Sequence, residues 1–308
     1  MKKALFATTA LVLTAGVAAA EVTVGGDGRM GVIYDGADWN FTSRIRIKFT
    51  ASGETDGGLQ FGGSARVDHY DTTTGSPASA ANGAAGSVYI SGAFGKLSMG
   101  DVDGAAKAAT GDVSGVGLTG LSDLNELQYM AEGGTDFQAG AGFTGEPSAL
   151  YEYSMGDLSF YASATNPTGD VDAYSLAGAY AMGNFTVSLG YERAELDLVG
   201  ANIDHYVLGA SANFGPATVK AIATQVDVDT LGTFNQYALS VDYAVNALTV
   251  TAYYKDNSEL NGTPLGGTEA YGIGASYDLG GGASLKGGYV SDQTNDNEIA
   301  DFGISFTF

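Results

Sequence analysis

Residues 39–52, WNFTSRIRIKFTAS, alternate without a break. Phe41, Ser43, Ile45, Ile47, Phe49 and Ala51 fall on one face; Asn40, Thr42, Arg44, Arg46, Lys48, Thr50 and Ser52 fall on the other. A period of two held this long specifies a β-strand, and at about 3.3 Å per residue a long one. The design repeats from Leu59, where Leu59, Phe61, Gly63, Ala65 and Val67 oppose Gln60, Gly62, Ser64, Arg66 and Asp68. A sheet of such strands has one apolar face and one face bearing cations. Burying the charged face as a core is expensive. The environment that suits both faces is a closed barrel, with lipid outside and a wet lumen inside, because closure pairs every backbone group.

The rest of the chain fits that reading. From residue 150 a unit recurs: strand, tight turn, strand, polar loop. The tight turns lie in YSMGDLSF, AYAMGNFTV, ANFGPATV, DYAVNALTV and YDLGGGASL, with an earlier one in SGAFGKLSM. The polar loops lie near NPTGD, ERAELDLVGAN, DVDTLG, KDNSELNGTPLGG and SDQTNDN. Short and long connections therefore alternate, as in an up-and-down sheet whose two ends face different surroundings. Strands are expected at 22–34, 40–52, 59–69, 87–93, 96–101, 148–154, 158–164, 173–181, 185–192, 203–213, 217–226, 234–244, 248–255, 269–278, 283–290 and 298–308. These are sixteen, an even number that lets the first and last strands pair antiparallel. Tyr and Phe cluster beside the turns, as aromatic girdles do. One connection, from about Val102 to Pro147, is far longer than the others; it alternates weakly and has a helical turn expected over 121–130. A loop of this length in a compact domain is usually functional.

Composition agrees. The first twenty residues, MKKALFATTALVLTAGVAAA, read as a signal peptide cleaved before Glu21: Lys2 and Lys3 precede an apolar stretch and a small-residue site. Residues 21–308 are then a single barrel domain outside the cytoplasm. After residue 20 no apolar run reaches the roughly 18 residues of a membrane helix. The 47 Gly weaken helices, while 18 Tyr and 14 Phe favour strands. There is no Cys, so no disulfide and no thiolate metal site. Without Lys2 and Lys3 the chain has 11 basic and 35 acidic residues, which argues against nucleic acid as a partner.

Charge placement supplies candidate functional residues. Arg29, Arg44, Arg46, Lys48 and Arg66 all come from the first three strands and from the polar face of each. With strands about 4.8 Å apart they form one basic patch. The long insert has the opposite sign, with Asp101, Asp103, Asp112, Asp123, Glu126 and Glu132 against Lys107. Folded into the lumen, it sets acids across a narrowing from the basic wall, and such a field selects among ions and dipolar solutes. Solvated external acids are the plainer reading. Bound calcium on Asp101, Asp103 and Asp112 is a lesser one, as no EF-hand loop is present. Catalysis has little support. His69 and His205 are the only histidines, both at expected strand ends, and neither G-x-S-x-G nor H-E-x-x-H occurs. Gly26-Asp27-Gly28-Arg29-Met30-Gly31 matches G-x-G-x-x-G but lacks the βαβ unit a dinucleotide site needs. It reads as the first barrel strand, with Arg29 rather than its glycines as the informative residue.

The stretch EVTVGGDGRMGVIYDGADWNFTSRIRIKFTASGETDGGLQFG resembles the general porins of alphaproteobacterial outer membranes, the Rhodobacter type. So do SGAFGKLSMGD, GASYDLGGGASLKGGYV and the closing DFGISFTF. The resemblance implies a sixteen-stranded antiparallel transmembrane β-barrel, a homotrimer among outer-membrane lipids, and passive diffusion of ions and small hydrophilic solutes without cofactor or chemistry. It implies a third external loop folded inward opposite a basic cluster, with Arg29, Arg44, Arg46 and Arg66 where that cluster is expected. The final Phe308 resembles an outer-membrane assembly signal. The insert departs from the family pattern, being rich in Gly, Ala and Thr with fewer acids in its middle. The rivals are a substrate-selective channel on the same barrel, a structural or adhesive barrel plugged by its long loop, and an outer-membrane hydrolase.

Overall fold

A computed structural model describes residues 20–70, 86–130, 148–165, 171–196, 200–229, 232–260, 263–264 and 269–308. The leader expected over 1–20 lies outside these residues except for Ala20, as does the second part of the insert, 131–147, with Glu132. The strands are β1 (Glu21–Tyr34), β2 (Trp39–Glu54), β3 (Gln60–Tyr70), β4 (Gly86–Gly92), β5 (Gly95–Gly100), β6 (Ser148–Met155), β7 (Leu158–Thr165), β8 (Val171–Met182) and β9 (Phe185–Leu196). They continue with β10 (Ala201–Phe214), β11 (Ala217–Val228), β12 (Gly232–Val245), β13 (Leu248–Leu260), β14 (Thr263–Pro264), β15 (Glu269–Gly280), β16 (Ala283–Asp292) and β17 (Asn297–Thr307). β14 is a two-residue piece folded back on the end of β13. The other sixteen form one antiparallel sheet, each pairing with its neighbours in sequence, and β1 pairs with both β2 and β17. The sheet is therefore a closed barrel.

All sixteen expected strands are present, several of them longer at the polar-loop end. β9 runs to Leu196 and β13 to Leu260. In β13 the added Asp256-Asn257-Ser258-Glu259 is polar at every position and so lacks the alternation that marks a strand, and in β9 the polar Arg193 and Glu195 fall on one face while Ala194 is buried on the other, the reverse of the apolar-outward pattern. The insert differs more. Its α-helix, α1, is Ala105–Thr110, and the segment expected to hold a helical turn has only a 3-10 turn at Leu121–Asp123. AAKAAT has high helix propensity, but six residues are too few to display a 3.6-residue period.

The faces sort as alternation demands. Phe41 is 88% exposed and its neighbour Thr42 8%; Leu189 is 66% exposed and Ser188 5%. Outward positions are apolar around the barrel: Val24, Phe49, Leu176, Leu208, Leu239, Ile273 and Phe302.

Two groups of glycine serve different needs. Gly156, Gly183 and Gly215 each begin a two-residue hairpin turn with φ of 61–63°, and a Cβ there would meet nothing within 4 Å. These turns need only the left-handed conformation, which Asn246 also adopts in its own turn (φ 54°). At the closing seam the need is space. A Cβ on Gly28 would lie 2.5 Å from the Phe306 ring, and one on Gly26 would lie 2.2 Å from the Arg46 carbonyl oxygen and 3.0 Å from the Phe308 ring. Main-chain hydrogen bonds between Gly26 and Phe308, at 2.8 and 3.0 Å, complete the seam. The glycines of GDGRMG are thus informative after all, because they admit the aromatic rings of the closing strand. Gly28→Val should destabilise the barrel by about 1–3 kcal/mol through overpacking, and Gly183→Asn by far less. Urea titration of the heat-modifiable folded form measures both.

Candidate functional site

The basic patch forms as the period of two requires, but carboxylates interrupt it. Across β1 and β2, Arg29 pairs with Arg44 and Asp27 with Arg46; across β2 and β3, Arg46 pairs with Asp68 and Lys48 with Arg66. Like charges directly opposite destabilise a sheet. Asp27 and Asp68 relieve the repulsion. Arg44 donates to Asp27 at 2.9 Å, while Arg46 and Arg66 donate to the two oxygens of Asp68 at 3.0 and 2.8 Å. Both acids share the inward period with the arginines, which is the signal by which they could have been counted in the wall.

Arg29 is used differently. Its Nη1 donates to the carbonyl oxygens of Thr119 at 3.1 Å and Leu118 at 3.4 Å, both in the insert. The same two residues are held from the other side by Asp301 of β17. Its carboxylate accepts from the Leu118 amide at 2.8 and 2.9 Å, the Thr119 amide at 2.6 Å and the Thr119 hydroxyl at 2.8 Å. Asp301 is a functional candidate that charge reading missed, because it sits near the C-terminus, remote in sequence from both wall and insert.

The insert crosses the inner face. The Ala105 amide donates to Ser163 of β7 and the Ala106 amide to Ser175 of β8, at 2.8 and 3.0 Å. Thr110 meets Ser188 of β9 at 2.9 Å, and the Ser114 amide meets Ser240 of β12 at 3.1 Å. A segment that reaches from β7 to β17 and on to β1 through inward side chains lies inside the barrel. Val113, Val116, Leu121, Leu127 and Tyr129 pack there on Val207, Ile222, Ala238, Tyr253, Val290 and Ile299. The expectation of a uniformly polar inner face is therefore corrected: the part beneath the insert is an apolar seat. Burial of each large apolar side chain is worth roughly 1.5–3 kcal/mol, and Leu121 and Leu127 are almost wholly buried. Glycines let the chain approach closely, since a Cβ on Gly190 would lie 2.7 Å from Ala106 and one on Gly209 2.5 Å from Thr110.

The expected acids separate. Asp101 and Asp103 are half-buried and near each other, and Asp101 is within reach of the Arg66 charge. Burial raises the Asp101 pKa; Arg66 opposes the rise and Asp103 adds to it. Asp123 is exposed, and with Asp301 it is a carboxylate whose charge reaches Arg29. Asp112 does not face the wall: it pairs with Lys107 and accepts the Leu127 amide at 2.9 Å. Glu126 offers its main-chain carbonyl to Lys255 of β13. Among the described residues no three acidic or histidine side chains come together as a metal site, so Asp101, Asp103 and Asp112 do not assemble a calcium ligand set.

His205 is not at a strand end. It lies inside β10 on the inner face, 1% exposed, with Nδ1 2.8 Å from Glu192 and the Tyr129 ring edge-on above it. Glu192 also accepts the Met130 amide at 3.0 Å. The pair therefore fastens the insert and is out of reach of solutes. The side chain of His69 lies outside the described residues.

A Gram-negative porin family matches residues 7–297. The porin of Rhodobacter capsulatus is 39% identical over 319 residues, covering 94% of this chain and all of that one. The porin of Fuscovulum blasticum is 27% identical with the same coverage. A porin structure refined at 1.8 Å superposes with a TM-score of 0.77 at 35% identity, over 94% of this chain and all of the other. The closed barrel, the charged inner wall and these matches agree that the chain belongs to the Gram-negative porins.

Proposed function

We propose that this porin is a general diffusion channel of the bacterial outer membrane, passing ions and small hydrophilic solutes without chemistry or energy input. The observation that carries the reading is the pairing of a charged wall on β1–β3 with an insert packed on the opposite inner face. The space left between them is a constriction with Arg44, Arg46, Lys48 and Arg66 on the wall and Asp123 on the insert, while Asp101, where the insert leaves β5, stands within reach of the Arg66 charge with Asp103 near it. Its selectivity then comes from size and from a transverse field. Lipids of the outer membrane contact the outward apolar belt, and the leader 1–20 is removed on export.

The reading includes a homotrimer. β5 has six residues, fewer than the roughly 9–11 of a strand that crosses lipid at a tilt. Beside it an outward apolar groove of about 940 Å³ is lined by small residues such as Gly63, Ala65 and Gly86 and flanked by Phe49, Phe61 and Met99. A low, smooth wall of this kind suits other copies of the chain better than lipid.

Liposomes carrying the protein should swell in isotonic small sugars at rates that fall with solute size; no swelling would contradict the proposal. Changing Arg44, Arg46 and Arg66 together to Ala should shift the reversal potential in asymmetric salt toward cation preference, and an unchanged potential would remove these residues from the pore. Acidification supplies a further test. Because its pKa is raised, Asp101 takes up a proton at higher pH than the ordinary value of about 3.9. As the pH falls from neutral toward the ordinary aspartate value, Asp101 is protonated ahead of an unperturbed aspartate, so the insert side loses negative charge and the channel shifts toward anions. Asp101→Asn should reduce that shift, as read from reversal potentials at neutral and acid pH.

A further inference from the structure

The insert is fastened most strongly at the seam where the barrel closes. Arg29 on β1 and Asp301 on β17 hold opposite sides of the same two residues, Arg29 on the carbonyls and Asp301 on the amides of Leu118 and Thr119. Between them lies a seat for the Leu118 side chain. Gly31 and Gly303 are direct partners across the seam, and a Cβ on either would come within 2.6 Å of Leu118 Cδ2. On β16 a Cβ at Gly288 would lie 2.6 Å from the Gly117 amide nitrogen. Gly117 itself has φ of 88°, and its own Cβ would lie 2.5 Å from an Asp301 oxygen. No residue larger than glycine fits at these positions without displacing the insert.

Elsewhere the described insert is tied to the barrel by hydroxyls, one of them, Ser114, donating to the Asp242 carboxylate, by apolar packing, and by bonds that involve Lys255, Gln236 and Glu192. Among the described ties, only at the seam does one carboxylate accept from three donors of the insert, the Leu118 amide shared between its two oxygens, a charge-assisted set stronger than neutral ones. Half of the seat comes from the first strand and half from the last. The insert can therefore dock there only after β1 and β17 have paired.

We infer that Arg29 and Asp301, with the Gly31–Gly303 seat for Leu118, are the positioning element that sets the aperture of the channel, and that barrel closure is what completes it. Arg29 then acts less as a wall charge facing solutes than as a fastener. The inference rests on the reading of the insert as the constriction.

Three variants, Asp301→Asn, Asp301→Ala and Leu118→Ala, test it in planar bilayers. The readouts are the size of the largest neutral polyethylene glycol that lowers single-channel conductance, the open-channel noise and the reversal potential. A heat-modifiable gel band checks folding. The Ala variants should admit larger polymers with more noise, and Asp301→Asn, which keeps one acceptor oxygen, should lie between them and the parent. Leu118→Ala removes no charge and no hydrogen bond, so it remains informative if Asp301→Ala does not fold. If the folded variants keep the parent's polymer limit and noise while only the reversal potential moves, Asp301 is a field charge and the inference is overturned. The Arg44/Arg46/Arg66 variant separates the two levels. A shifted reversal potential there with unchanged polymer limits in the seam variants refutes the fastening alone, whereas no shift in either refutes the constriction.

Discussion

A sheet that crosses lipid must leave no backbone donor or acceptor unpaired, because the hydrocarbon offers none in return. In this chain the requirement is met by one pairing, that of β1 with β17. Without it both edges of a sixteen-strand sheet would be open. With it, the outward positions can be uniformly apolar and the inward positions are free for charge. The seam is tight: Gly26 and Gly28 give up their side chains to Phe308 and Phe306, and Gly31 and Gly303 meet backbone to backbone. Closure, insert docking and the shape of the lumen all converge on that pair of strands.

The interior divides accordingly. On β1–β3 it is charged, and the arginines stand close together only because Asp27 and Asp68 lie among them. From β9 to β17 it is largely a seat for the insert, with Val207, Ile222, Val290 and Ile299 turned inward where a fully wet wall would carry polar groups. A desolvated seat makes the buried hydrogen bonds of Ser188, Glu192 and Asp301 costly to break. The insert is held as a packed element, and the water-filled part of the lumen is pushed toward the arginines.

Most of the barrel was legible in the sequence, and the reason is physical. A strand with lipid on one side and water on the other must alternate, so the stretch 39–52 declares itself and fixes the face of Arg44 and Arg46 together. The fold of the insert was not legible, since 105–130 obeys neither period; its shape is imposed by the wall it rests on. The signs of that wall were present as exceptions to the rule. Val207, Ile222 and Val290 are apolar at inward positions, and Gly31, Gly190, Gly209 and Gly303 are inward glycines within strands. Asp301 and Asp112 show the limit of charge counting. One acid remote in sequence holds the insert to the seam, and one acid within the insert is taken up by Lys107.

The central claim is that a water-filled passage remains between the charged wall and the insert. Single-channel recording in planar bilayers tests it most directly. The account predicts discrete, ohmic conductance steps that grow in proportion to bulk salt conductivity, as for an aqueous pore. A protein that inserts fully folded and yet conducts nothing would contradict it, because the insert would then fill the barrel completely.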